Sequence, residues 1–159
     1  MSGFNTDNDV INNTSVLITG GSGMIGKHLT ASLLEKGFSV SHLSRKATKP
    51  GIVRTYLWDP EKKSVDPGAF SGIDFIVHLA GANVGEKRWT EKRKREILES
   101  RVGSARFLFE TIQSLGIGLK GFISASATGI YGSQTSEKIF NESDPADDDF
   151  LGMVCKSWE

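Results

Sequence analysis

The chain has 159 residues, enough for one ordinary domain with its own apolar core. Its 19 basic residues balance 19 acidic ones, so no global attraction to nucleic acid or to an anionic membrane is implied. A single cysteine, Cys155, excludes an intramolecular disulfide and fits a reducing, cytoplasmic setting, and no apolar run is long enough to span a bilayer.

Residues 1–14 are polar and Asn-rich, lack the charged-then-apolar order of a signal peptide, and are expected to form a flexible leader. The stretch SVLITG (15–20) is short, β-branched and apolar, and runs into glycines. MIGKHLTASLLEKG (24–37) then sets Ile25, Leu29 and Leu33 at helical spacing and stops at Lys36–Gly37. FSVSHLS (38–44) and VRTYLW (53–58) read as the second and third strands, the latter closed by Asp59–Pro60. DFIVHLAG (74–81) is a fourth strand that again runs into glycine. A long helix is expected from Thr90, its N-cap, to about Leu115, with Ile97, Leu98, Val102, Ala105, Leu108, Phe109 and Ile112 as its apolar stripe and Gly116 as its end. LKGFISAS (119–126) is a fifth strand, and DFLGMVCKSWE (149–159) opens another helix with no stop signal.

Strands that are apolar throughout, separated by helices or crossovers, predict a parallel sheet covered on both faces. With right-handed crossovers, the fold class is α/β: a Rossmann-like, doubly wound parallel sheet over 15–159, in the order 3-2-1-4-5. Ligands on such a sheet bind beyond the carboxyl ends of the strands. TGGSGMIG, HLAGANVG and SASATGIYG all fall there, and their small residues let backbone approach a ligand closely.

ITGGSGMIGKHL is the most informative stretch. Gly20, Gly23 and Gly26 are spaced for a tight turn out of a strand, a bare backbone under a pyrophosphate, and close packing of the helix on the sheet. The pattern sits between a clear strand and a clear helix, which makes it a strong dinucleotide signal. An NAD site carries an acidic residue at the end of the second strand, to bond the ribose 2′-hydroxyl. Here the sequence is Ser44, Arg45, Lys46 with no carboxylate, which predicts NADP(H) in preference to NAD(H): the two cations and the hydroxyl would hold a 2′-phosphate.

The TGxxGxxG run at 19–26, HLAG at 78–81 and YG at 131–132 together resemble the extended short-chain dehydrogenase/reductases, the NAD-dependent epimerase/dehydratase family. HLAGANVGEKRWTEKRKREILESRV (78–102), SASATGIYG (124–132) and DFLGMVCKSWE (149–159) are similar to its atypical sugar-nucleotide epimerase branch, and the resemblance covers about 15–159. Members of that branch carry a second half with further strands and a substrate-binding lobe, so this chain is expected to be a truncated domain, inactive by itself. The resemblance implies that Gly20, Gly23, Met24, Ile25 and Gly26 cradle the pyrophosphate, and that Ser44, Arg45 and Lys46 lie on the adenosine-phosphate side. Leu79, Ala80 and Gly81 would pass beside the ribose, and Ser124 and Ala125 would lie near the nicotinamide. It also implies hydride transfer on a small-molecule substrate, a carbonyl compound or nucleotide sugar, as reduction or epimerisation.

The family's usual Ser/Thr and Tyr-x-x-x-Lys set is not matched. By the family's spacing the Ser/Thr position falls on Ala127, between Ser126 and Thr128, while the Tyr and Lys positions fall on Leu151 and Cys155. Arg101 stands where many relatives have Asn. Tyr131, Ser126 and Thr128 are the remaining catalytic candidates, with a packing role in the post-strand turn the default reading of Tyr131. Cys155 reads as a small buried hydrophobe and His78, ending an apolar strand, as structural. His28 and His42 form no metal-ligand cluster with acids or with Cys155, so no metal is expected. The rival function is a non-catalytic dinucleotide-binding module, redox-sensing or regulatory.

EKRWTEKRKREILESR (86–101) is rich in Lys and Arg, but Glu86, Glu91, Glu96 and Glu99 are interleaved with them. A solvated helix face is the default reading, anchoring of substrate or cofactor by Arg88 and Trp89 is the alternative, and nucleic acid and membrane are not expected as partners. Association of copies, if any, is expected through the long helix 90–115.

Overall fold

The computed structural model describes residues 14–46, 51–133 and 137–159. A six-stranded sheet runs through the centre: β1 (Ser15–Thr19), β2 (Ser39–Ser44), β3 (Arg54–Asp59), β4 (Ser64–Val65), β5 (Phe75–His78) and β6 (Gly121–Ser124). Its order is β4-β3-β2-β1-β5-β6. The five parallel strands take the expected order. The addition is β4, two residues that pair antiparallel with β3 through Trp58 and Asp59, beyond the end of the expected order. It is too short to leave a period in the sequence.

Pleating sends alternate residues of each strand to opposite faces. Val16, Ile18, Val40 and Val77 form one buried layer, under Leu29, Leu33 and Leu34 of helix α1 (Met24–Glu35). Leu17, Leu43, Trp58 and Ile76 form the other, with Ala69 and Phe70 of a single 3₁₀ turn and with Phe107 and Leu108 of helix α3 (Ser104–Ser114). At the amino ends, Asp74 accepts from the Ser15 N–H (2.9 Å) and pairs with Lys120 (2.8 Å). The Lys120 ammonium, more than the Ser15 N–H, holds the Asp74 carboxyl below the usual carboxylate range.

The expected helix 90–115 is interrupted. Thr90 caps α2 (Glu91–Leu98) by accepting from the Arg93 N–H, but residues Glu99–Gly103 form a π-helical turn before α3 begins. Gly103 is a weak helix former, and Ser104 Oγ draws on the carbonyls of Ser100 (2.7 Å) and Arg101 (3.1 Å) instead of leaving the ladder undisturbed. A wide turn takes one extra residue and rotates α3 about the helix axis relative to α2. Phe109, expected in the apolar stripe, is accordingly 56% exposed, while Phe107 and Leu108 are buried.

Helix α4 (Phe150–Trp158) starts at Asp149, whose carboxylate accepts from the Gly152 N–H at 2.8 Å. Residues 1–13 of the expected leader lie outside the described residues. Thr14 is buried, and its carbonyl accepts from the Ser39 N–H at 3.0 Å. Among the described residues, no helix is long and apolar enough to cross a membrane.

Candidate functional site

The carboxyl ends of β1, β2, β5 and β6 share one edge of the sheet, and each sequence-predicted residue lies at or just beyond it. Gly20 takes a φ of 70° and its carbonyl accepts from the Gly23 N–H at 2.9 Å, which turns the chain straight from β1 into α1. A Cβ on Gly20 would fall 2.8 Å from the Leu79 carbonyl, and one on Gly26 would overlap the Gly20 oxygen. Both glycines are therefore dictated by close packing of turn, helix and β5. Gly23 is the N-cap of α1 and no side chain caps it. The first-turn N–H groups thus have no side-chain cap, Met24 and Ile25 are exposed, and the positive end of the helix dipole lies here.

Ser44, Arg45 and Lys46 follow β2 directly. Ser44 Oγ accepts from the Lys46 N–H at 3.2 Å, and both basic side chains are exposed. A cavity of about 420 Å³ opens beside Arg45 and continues along Trp58, Asp59 and β4. Asp59 and β4 were absent from the sequence-predicted site.

Leu79, Ala80 and Gly81 are held by a buried polar chain with a definite direction. Ser104 Oγ donates to the Ser100 carbonyl, so at 3.1 Å from His78 it accepts, and His78 carries its proton on Nε2. His78 Nδ1 is then an acceptor, and Thr19 Oγ1 donates to it at 2.7 Å. Thr19 Oγ1 in turn accepts the N–H groups of Leu79 and Ala80, each at 3.1 Å. Thr19, His78 and Ser104 are wholly or almost wholly buried. Burial holds the His78 imidazole down to about 4, so it is neutral at physiological pH. His78 is a structural hub at this edge.

Gly81 faces the Arg101 guanidinium, which stands 3.0–3.2 Å from where a Cβ would be. Arg101 Nη1 donates to the carbonyls of Ala82 (3.1 Å) and Ile97 (3.2 Å), and the guanidinium stacks over Trp158 at 5.2 Å. Trp89 Nε1 donates to the Val84 carbonyl at 2.7 Å and its ring meets Phe150 edge-on at 5.3 Å, tying this loop to α4. The basic run is not wholly a solvated face. Arg93 is buried, paired with Glu96 (2.8 Å) and Glu86 (3.3 Å), and it donates to the Asn83 carbonyl at 2.6 Å. The bracketing glutamates were the only sequence sign of that burial.

Ser124 ends β6, and the N–H of Ala125, the next residue, donates to the His78 carbonyl at 3.1 Å. Ser126, Thr128 and Tyr131 come next, in and around a 3₁₀ turn (Thr128–Tyr131), and line a cavity of about 400 Å³ with Ala127, Ile130, Glu142, Asp144 and Glu159. Ser126 Oγ donates to the Glu159 carboxylate. Tyr131 donates to the Asn141 carbonyl at 2.9 Å and stacks on Phe140 at 4.8 Å. Glu142 and Asp144 reach this cavity because residues 137–149 fold back, through the Asp147 N–H on the Ile130 carbonyl (2.8 Å), and no spacing in the sequence announces that. Leu151 packs on Gly129, and Cys155 is buried, which pushes its thiol up. Among the described residues no group of three His, Cys, Asp or Glu could hold a metal ion.

The family model described as the NAD dependent epimerase/dehydratase family matches residues 16–150. Epimerase family protein ML0860 of Mycobacterium leprae is 35% identical over 144 residues, which cover 91% of this chain and 45% of that protein. The crystal structure of a nucleoside-diphosphate sugar epimerase from Corynebacterium glutamicum superposes with a TM-score of 0.73 at 33% identity, over 96% of this chain and 33% of that one. Human epimerase family protein SDR39U1, solved with NADPH, gives a TM-score of 0.73 at 27% identity, over 91% of this chain and 47% of that one. The chain thus spans about half the length of the curated relatives it matches.

Proposed function

The chain belongs to the NAD dependent epimerase/dehydratase family, and on that footing we propose that it forms an NADP(H)-binding half whose whole protein transfers hydride to or from a carbonyl compound or nucleotide sugar. The observation that carries the cofactor reading is the pairing of two anchor points at one sheet edge. The uncapped α1 N-terminus offers N–H groups to a pyrophosphate, and Ser44, Arg45 and Lys46, with no carboxylate among them, suit a 2′-phosphate. Gly20 and Gly26 let the turn pack against Leu79 and against itself, and at Gly23 a Cβ would meet only the Gly20 carbonyl oxygen, so the bare backbone there suits a dinucleotide. Likeness to the human relative solved with NADPH and to the Corynebacterium nucleoside-diphosphate sugar epimerase supports the same choice of cofactor and substrate class.

Bound NADPH would supply the hydride. The chain's own residues would do the rest. Gly23–Gly26 would orient the pyrophosphate, and Arg45 and Lys46 would discriminate the phosphorylated ribose. The Thr19–His78–Ser104 chain would keep Leu79–Gly81 fixed beside the cofactor, and Ser126 and Thr128 would offer hydroxyls to a substrate oxygen. Titration of this chain with NADPH and NADH by fluorescence tests the reading. Tighter NADPH binding by about tenfold or more is expected from a 2′-phosphate held by two cations, and equal or tighter NADH binding overturns it.

A second reading, a dinucleotide-binding module without catalysis, is favoured by one observation. Tyr131, the phenol nearest the substrate cavity, already donates its proton to the Asn141 carbonyl, and the positions that resemble the family's Tyr and Lys hold Leu151 and Cys155. NADPH binding by the whole protein without oxidation by any carbonyl compound or nucleotide sugar would support that reading.

A further inference from the structure

His42 lies on β2 two residues before Ser44 and does not touch the predicted substrate cavity, yet it is half-buried against the glycine turn. An ideal Cβ on Gly21 would fall 2.5–2.6 Å from its Cε1, Nε2 and Cδ2 atoms, so the imidazole fills the space that the missing side chain leaves. Its Nε2 stands 2.8 Å from Thr30 Oγ1, and Thr30 Oγ1 stands 2.7 Å from the carbonyl of Gly26. A carbonyl can only accept, so the single hydroxyl proton of Thr30 goes to Gly26. The other bond must therefore run from His42 Nε2–H to Thr30 Oγ1. Burial pushes the imidazole's pKa below its ordinary value, in keeping with a neutral ring protonated on Nε2.

The chain His42 → Thr30 → Gly26 thus joins two parts of the proposed cofactor site. Gly26 closes the pyrophosphate turn, and His42 precedes the Ser44–Arg45–Lys46 tripod by one strand repeat. We propose that His42 is a positioning residue: it locks β2 to the first turn of α1 and so sets the span between the pyrophosphate cradle and the 2′-phosphate tripod. A ligand that engages both anchor points benefits from a fixed span, because the second contact is then made without further ordering. A ligand that engages one of them does not. The inference rests on the NADP(H) reading above.

The test compares two probes on the 159-residue chain. NADPH reaches both anchor points, whereas adenosine 2′-monophosphate reaches only the tripod. His42→Leu and Thr30→Val each remove the bond at nearly constant volume. Either is expected to weaken NADPH about tenfold, equivalent to about 1.4 kcal/mol, and to leave adenosine 2′-monophosphate unchanged. His42→Gln, whose amide N–H can donate to Thr30, should restore NADPH affinity. Equal weakening of both probes in step with a fall in Tm overturns the clamp, as does an unchanged NADPH Kd. Nitrogen chemical shifts of the unsubstituted chain give a readout that needs no variant: an Nε2–H tautomer for His42 supports the clamp, and an Nδ1–H tautomer overturns it. If the unsubstituted chain binds no NADPH, the cofactor reading itself fails and takes the clamp with it, whereas binding that the substitutions leave untouched sinks the clamp alone.

Discussion

Two stretches of the same sheet edge are built in different ways. Around β1 and β5, Thr19, His78 and Ser104 are buried and bonded to one another and to the backbone of Leu79 and Ala80. Beyond β6, Ser126, Thr128, Glu142 and Glu159 are exposed, and Ile123 in the strand itself is 54% exposed. The first stretch is fixed by groups that have no alternative partner once water is gone; the second is held by bonds that water can replace. The proposed dinucleotide site needs a backbone held still, and the β1–β5 side has one. The cavity past β6 is open and acidic, with hydroxyls at its wall and only light support beneath them.

Removing one hydroxyl from each stretch should show the contrast at its largest. Thr19→Val keeps the volume but leaves His78 Nδ1 and the Ala80 N–H without their buried partner, so a loss of about 2–4 kcal/mol is expected in urea unfolding. Thr128→Val, at an exposed position, should stay within about 0.5 kcal/mol. Similar losses for the two would erase the distinction.

Acid should find the same weak point. Folded His78 titrates at about 4 and an unfolded histidine near 6.5, so between those values only the unfolded chain takes up the proton. The contribution of His78 to stability is complete above about pH 6.5 and falls as pH drops toward 4, by roughly 1.4 kcal/mol per pH unit at most. Burial lowers His42 in the same sense. Asp74, depressed by Lys120, adds its own loss at more acidic pH, from the ordinary carboxylate range downward. Unfolding free energies measured between pH 7 and 4.5 should therefore decline, and His78→Gln, less stable throughout, should flatten most of that slope. A slope unchanged by His78→Gln would mean that the hub is not what acid attacks.

The β1–β5 side was also the more legible in sequence, for the same physical reason. Where packing is tight, chemistry has few choices: Gly20 and Gly26 are imposed by the Leu79 carbonyl and by the turn itself, and the apolar runs at 15–19 and 75–78 by burial on both faces. The π-helical turn left no such mark, because Ile97, Phe107 and Leu108 remain apolar on either side of it, and only the exposure of Phe109 betrays the rotation. Arg93 was hidden in a run of solvated charges, and Glu142 and Asp144 reach the cavity through a loop with no period at all. Loops placed by their own side-chain turns, such as the Ser143 N–H on Asn141 Oδ1 at 3.0 Å, arise from local bonds that many sequences can make.

Tyr131, a catalytic candidate in the sequence, should also have only a small effect. Tyr131 contributes one hydrogen bond, to the Asn141 carbonyl, and a ring stacked on Phe140. Tyr131→Phe keeps the ring and removes the bond at a site open to water, where the freed carbonyl can be solvated. A cost of about 1 kcal/mol or less is expected in urea unfolding, and NADPH affinity should not change, because the phenol stands over the cavity past β6 and not at the glycine turn. A loss above about 2 kcal/mol would show that the segment past β6 is supported as firmly as the β1–β5 side. A fall in NADPH affinity would show that the two stretches are coupled, and the division between a rigid β1–β5 edge and a lightly held cavity past β6 would have to be given up.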